Sequence, residues 1–245
     1  MTNSAVGAGI GMMRAQWTIG KPGLNRTIFY TVVGLLTKAC KTFKSIQCLC
    51  ERGFHEDASA LVRVLLETTA AILYILNEKS TERALIYHAH GMHQQLKMLK
   101  HWRKVPSLAA LATDEHLAQA QAAVDGYIKR LPNGTDITRH WSGLNGLEAV
   151  LKELDDEVTY ATSFRFSSAI IHGTDFGAHL EVDGDGDDLV WQIEPRVRGF
   201  EAPTYAARQL LKKAADGVND RFGLNFDAKL APFHLSDADV AEGKK

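Results

Sequence analysis

The chain has 245 residues, of which 45% are hydrophobic and 23% charged, and its formal net charge is -1. That length can bury a full core, and that composition excludes wholesale disorder. A near-neutral balance also excludes a protein coated in positive potential, so any nucleic-acid contact has to rest on a local basic patch.

Residues 1–23 read as a loose arm ending in Gly20-Lys-Pro-Gly23. Within it, Ser4 to Met13 is apolar, but no basic residue precedes the run, and it is too short and glycine-rich to span a bilayer. Other apolar runs are broken by charge before about 18 residues. The expectation is a soluble, cytoplasmic protein without a membrane partner. A helix is predicted from about Asn25 to Glu51, stopped at Arg52-Gly53-Phe54. It carries all three cysteines, Cys40, Cys48 and Cys50, whose spacing fits no zinc pattern and whose odd number fits no disulfide framework. Buried reduced thiols are expected, as suits a reducing compartment.

A second helix, from about His55 to Asn77, is the most buried candidate. Leu61, Val62, Val64, Leu65, Leu66, Ile72, Leu73, Ile75 and Leu76 cover nearly its whole circumference. Arg63 and Glu67 interrupt it at i and i+4, on one face. An isolated buried charge is very costly, so they are expected to pair with each other or with other polar groups. The pair reads either as a structural ion pair inside a bundle or as one end of a polar pocket. In the second case Glu67 is a base or a histidine partner.

A third helix, from about Thr81 to Lys104, is polar and holds His88, His90, His93 and His101, read as solvated surface histidines. His90 and His93, at i and i+3, could share a metal. No Glu-x-x-His pair elsewhere supplies the rest of a carboxylate-bridged bundle site, so neither metal nor cofactor is assigned. Lys97, Lys100, His101, Arg103 and Lys104 make the one dense basic cluster, either a wet helix end or a place to hold phosphates. Pro106 breaks the helix. A fourth helix spans about Thr113 to Leu131, with Leu117, Val124 and Ile128 on its inner side, and Pro132-Asn-Gly-Thr135 turns the chain. Trp141-Ser142-Gly143 then leads into a short helix, Leu147 to Leu154.

The stretch from Tyr160 to Thr174 carries the candidate site. On a helix turning 100° per residue, Arg165, Ser168 and His172 at i, i+3 and i+7 share one face. Tyr160, Phe164 and Ile171 form an adjacent stripe suited to face inward, and Gly173 supplies a stop. A cation, a hydroxyl and an imidazole on one ridge can bind or cleave a phosphate; they can also be an ordinary polar ridge.

After Gly173 the period changes. His179 to Val182 and Leu189 to Ile193 read as two strands of a small hairpin near residues 178–194, around Asp183-Gly-Asp-Gly-Asp-Asp188. Asp183, Asp185, Asp187 and Glu194 stand at positions 1, 3, 5 and 12 of a calcium loop, but position 6 is Asp188 where glycine is needed. An acidic hairpin tip is therefore expected. A last helix runs from about Pro203 to Phe222, and residues 227–245 read as a frayed tail. With no repeat and no composition shift, residues 24–226 are expected to form one helical domain. The fold class is all-α, a multi-helix bundle with a β-hairpin insertion.

Three blocks together carry a resemblance: Arg63-Val-Leu-Leu-Glu67, Trp141-Ser-Gly143, and Tyr160 followed by Ser168 and His172-Gly173. Over roughly residues 30–200 the chain resembles domain-of-unknown-function family 5677, all-helical proteins with no settled activity. That family is similar in turn to HEPN-type helical bundles, many of them toxin or defence ribonucleases. Their motif is an arginine, four to six residues, then a histidine. Arg165 and His172 are separated by six, and the position after the arginine, usually polar in that motif, is Phe166 here.

The resemblance implies metal-independent RNA cleavage. His172 would give or take a proton near neutral pH, Arg165 would brace the phosphoryl oxygens, and Ser168 would hydrogen-bond the substrate or the imidazole. Arg165 and His172 stand about 10 Å apart along a helix axis. The resemblance accordingly implies a two-fold homodimer that brings two of each together, with RNA as partner. Two rivals stand beside this reading. One is a non-catalytic binding or assembly module in which His172 caps a helix end and hydrogen-bonds Glu67 or Tyr160. The other is a small-ligand pocket lined by Arg63, Glu67 and His172.

Overall fold

The computed structural model describes residues 25–165 except residue 79, together with 180–182, 189–191 and 201–224. Helix α1 spans Arg26–Glu51. The Asn25 side chain caps it, Oδ1 accepting the Ile28 N–H at 3.3 Å. At its end Gly53 takes φ +84°. The Gly53 N–H then reaches the Cys50 carbonyl and the Phe54 N–H the Leu49 carbonyl, at 3.1 and 2.9 Å. That double return satisfies carbonyls a helix end leaves open, and the positive φ favours glycine there.

Helix α2, His55–Leu76, is the central element. Leu65, Leu66, Ile72 and Ile75 are fully buried. It is the one helix among the described residues long and apolar enough by composition to cross a membrane, yet most of its surface is covered inside the fold. α1 lies along one side, and helix α7, Glu201–Phe222, along another. The Thr69 hydroxyl donates to the Leu210 carbonyl at 3.2 Å in the buried α2–α7 seam. At Gly217 the two helices come so close that a Cβ would stand 2.9 Å from Leu73 Cδ2.

Helices α3 (Glu82–Trp102) and α4 (Asp114–Ile128) pair with each other. Between them lies a second apolar cluster of Leu85, Ile86, Leu96, Leu99, Val124 and Ile137. Thr113 caps α4 by accepting the His116 N–H at 3.2 Å. Among the contacts that join this pair to the rest are two around Tyr74. Trp141 meets Tyr74 of α2 and Tyr87 of α3 edge-on, with centroids 6.1 and 5.9 Å away. Arg83 lies over the Tyr74 ring, donates to the Tyr74 carbonyl and pairs with Glu153. Glu153 ends the short helix α5, Leu147–Glu153, which sends Leu147, Val150 and Leu151 into the main core. Strands β1 (Leu180–Val182) and β2 (Leu189–Trp191) pair antiparallel, Glu181 opposite Val190.

Several sequence expectations change. Ile128, expected inside, is exposed at the last turn of α4. Cys40 and Cys50 are buried, but Cys48 faces solvent, and none of the three forms a disulfide among the described residues. Burial pushes the Cys40 thiol up to about 11. The histidines of α3 are not uniformly solvated. His88 Nε2 stands 2.8 Å from the Thr31 hydroxyl, which itself donates to the Thr27 carbonyl, so the ring nitrogen is the donor. The same ring stacks on Tyr127, 5.7 Å between centroids, and so joins α1, α3 and α4. His90 uses its two nitrogens on the Ile137 carbonyl and the Gln94 amide. The arm 1–23, Ser168, His172, Gly173, the acidic turn 183–188 with Glu194, and the tail 227–245 lie outside the described residues.

Two half-buried imidazoles give the fold a pH dependence. Burial, and secondarily the Arg130 charge, pushes His88 below its ordinary 6.5. Burial, and secondarily His90, does the same to His140. The unfolded chain takes up these protons near 6.5 while the folded chain resists, so stability is held above that value and lost progressively below it. Melting temperature should fall between about pH 7.5 and about pH 5.5, and less steeply in His88→Gln or His140→Gln. Melting curves with unchanged pH slopes in both variants would refute this account.

Candidate functional site

The candidate site begins with the turn after α5. Asp155 holds φ +54°, a conformation a short polar side chain tolerates better than most. This lets the Asp156 N–H return to the Leu151 carbonyl at 2.8 Å. The Asp156 carboxylate then takes the Thr159 hydroxyl at 2.6 Å and the Lys213 ammonium at 2.8 Å. The chain is thereby anchored to α7 as it starts helix α6, Glu157–Thr159.

From Tyr160 to Phe164 the helix widens into a π-turn, and the Arg165 N–H donates to the Tyr160 carbonyl five residues back. The uniform 100° spacing used to place the inward stripe beside the polar ridge therefore does not hold across these residues. Tyr160 and Phe164 still stack, 4.8 Å between centroids and 16° between planes. Both are half-buried against the main core.

The Arg63 guanidinium lies over the Phe164 ring, 4.4 Å from its centroid. Its Nε is 3.4 Å from Glu67 Oε1. Arg63 is 23% exposed and Glu67 44%, so the pair sits at the rim of α2 and not inside the bundle as its apolar surroundings in sequence suggested. The ion pair itself is worth only about 0.3–0.5 kcal/mol at such exposure, and the cation–π contact adds about 0.5–1 kcal/mol. Together they hold the π-turn against α2.

The fold thus links Arg63 to Glu67 directly and to Tyr160 through Phe164, on whose ring the guanidinium lies. Arg165 follows immediately, exposed and without an ion pair to any described residue. Ser168 and His172 are outside the described residues.

The basic cluster divides. Lys97 and Lys100, with His93, His101 and Lys104, line a groove of about 430 Å³ along α3 whose apolar member is Leu96. Arg103 does not belong to it: its guanidinium donates to the Ala112 carbonyl at 2.8 Å and pairs with Asp114 at 2.9 Å. It ties the end of α3 to the start of α4, a structural role its place in a lysine run concealed. A second cleft, about 780 Å³, lies between α2 and α7, with Asn77, Glu153, Asp155, Lys213 and Arg221 around Leu76. Neither Arg63 nor Glu67 lines it, so this cleft is distinct from the pocket of the rival small-ligand reading, whose third member, His172, lies outside the described residues.

His140 and Ser142 also meet, Nδ1 to Oγ at 2.8 Å, beside the Trp141-Ser142-Gly143 block. Ser142 is buried, and its hydroxyl oxygen accepts the Leu144 N–H at 3.0 Å. Gly143 takes φ +75° close to Ile86. This serine serves the turn that seats Trp141. The histidine two residues before the serine is the local sequence signal for this turn.

The chain matches the model of a family of unknown function (DUF5677) over residues 29–188, well over half its length, and belongs to that family. No curated protein and no solved structure matches it. The matched span takes in the Arg63–Glu67 pair, the tryptophan turn and the π-turn, and stops before α7.

The Arg63–Phe164 contact should be measurable. A double-mutant cycle with Arg63→Met and Phe164→Leu is expected to show a coupling of about 0.5–1 kcal/mol in denaturant unfolding. Strictly additive losses would mean that the guanidinium does not hold the π-turn.

Proposed function

We propose that the chain is a HEPN-like, metal-independent endoribonuclease of a defence or toxin system, acting as a two-fold homodimer in the cytoplasm. The observation that supports it best is Arg165. An arginine left exposed, with no carboxylate among the described residues, directly after a π-turn braced by Tyr160, Phe164 and Arg63, is available for a phosphate. π-Turns are often found at functional sites. A rigid fork aimed from a braced element loses little freedom when it binds phosphoryl oxygens.

In the reaction, the 2′-oxygen of a ribose attacks the adjacent phosphorus while its proton passes to a base. The bond from phosphorus to the 5′-oxygen breaks, and that oxygen takes a proton. The products are a 2′,3′-cyclic phosphate and a free 5′-hydroxyl. His172 performs one proton transfer, and the equivalent group of the second copy suits the other. Arg165 balances the charge that builds on the non-bridging oxygens, and Ser168 hydrogen-bonds substrate or imidazole. Three cysteines without a disulfide among the described residues suit a reducing compartment.

Purified protein should cut structured RNA in EDTA. Arg165→Ala and His172→Ala should each lower cutting by roughly 10²-fold or more. The melting temperature of Arg165→Ala should hardly move, because the side chain is exposed. Wild-type protein that leaves RNA intact would favour a non-catalytic binding module, in which Arg63 and Glu67 simply neutralise each other.

A further inference from the structure

We infer that the groove on α3 is a binding surface for the phosphate backbone of single-stranded RNA, separate from Arg165. Its choice of ligand rests on the ribonuclease reading, but its geometry does not. His93, Lys97 and Lys100 recur at i, i+4 and i+7, one stripe of α3; Lys104, in the turn just past the helix end, lines the same groove, and His101 and Leu96 flank them. Lys97, Lys100 and Lys104 are exposed and have no carboxylate partner among the described residues. By contrast Arg103, inside the same basic run, is taken up by Asp114. Three uncompensated ammonium groups on one ridge repel each other, and a polyanion laid along the ridge relieves that repulsion.

The dimensions suit a nucleic-acid strand. From His93 to Lys100 the stripe rises about 10 Å along α3, with Lys97 and Lys100 about 4.5 Å apart along the axis. Lys104 extends the groove past the helix end, so the three lysines can meet roughly three consecutive phosphates. Imidazoles at His93 and His101 offer flat faces on which unpaired bases can stack. A lipid surface fits worse. A basic helix that lies in a membrane needs an apolar face to insert. The apolar face of α3, with Leu85, Ile86, Ala89 and Leu99, is buried against the rest of the fold.

The test separates binding from cutting by using a 2′-O-methyl RNA of about 12 nucleotides, which lacks the attacking hydroxyl. Its affinity for the full chain, followed by fluorescence anisotropy from about 50 to about 300 mM salt, should fall with a log–log slope of about -2, as expected for some three phosphates on a single strand. Lys97→Ala, Lys100→Ala and Lys104→Ala should each reduce that slope by about 0.7, and the triple variant should weaken binding on the order of tenfold or more. Lys129→Ala, an exposed lysine of the α4 end, should change nothing.

Retention of binding by Arg165→Ala, with loss only in the ridge variants, supports the inference. Undiminished binding and slope in the triple variant overturns it, as does failure of wild-type protein to bind this RNA. So does a ridge that holds anionic vesicles and not RNA. Binding that depends on the ridge, in a protein that cuts nothing, would remove the ribonuclease reading and leave the RNA surface standing. Cutting that depends on Arg165 but is indifferent to the ridge would do the reverse.

Discussion

The architecture depends on covering α2. A helix with Leu65, Leu66, Ile72 and Ile75 fully buried cannot leave any long side in water. Burying each such side chain contributes about 1.5–3 kcal/mol, and that gain is available only if other elements close around it. α1 and α7 supply two long walls, α5 adds Leu147, Val150 and Leu151, and the Tyr160–Phe164 turn closes part of what remains. α7 can come close at Gly217 because there is no side chain there to hold it away from Leu73.

The same requirement explains why the charged pair of α2 stands where it does. Arg63 and Glu67 cannot enter the apolar seams without a desolvation cost larger than their attraction. They occupy the side that the α6 extension approaches, where Phe164 offers the guanidinium an aromatic face in place of water. Packing and candidate site are therefore one problem: the residue that closes the core edge also sets where Arg165 begins. The basic groove has a different origin. α3 buries its apolar face with α4, which leaves its opposite side wet, and no acidic residue of a neighbouring element reaches Lys97, Lys100 or Lys104 among the described residues.

Polar side chains divide between fold and site in ways their sequence positions do not announce. His88, His90 and Arg103 all lie in the polar helix that reads as solvated. Each is used inside the molecule, on Thr31, on Ile137, and on Ala112 with Asp114. Ser142, in a loop, is buried, and Ile128, apolar and in phase with Val124, is not. The partners of His88, His90 and Arg103 lie far along the chain or across a turn, and the depth of Ser142 and Ile128 depends on how the loop and the end of α4 pack, so periodicity carries no trace of either.

The sequence by itself determined where the long described helices lie, with ends within a few residues. Apolar spacing along α1 and α2, a cap at Asn25 or Thr113, and Gly53 after a helix act within a few residues. Arg63 and Glu67 were legible as a pair for the same reason, being one turn apart. Only the tertiary structure decided their depth, the aromatic partner 101 residues away at Phe164, the wide turn that shifts the phase before Arg165, and which cations stay free. Those outcomes depend on which surfaces meet when α2 is enclosed. That is a property of the whole assembly of helices, and no local stretch of chain contains it.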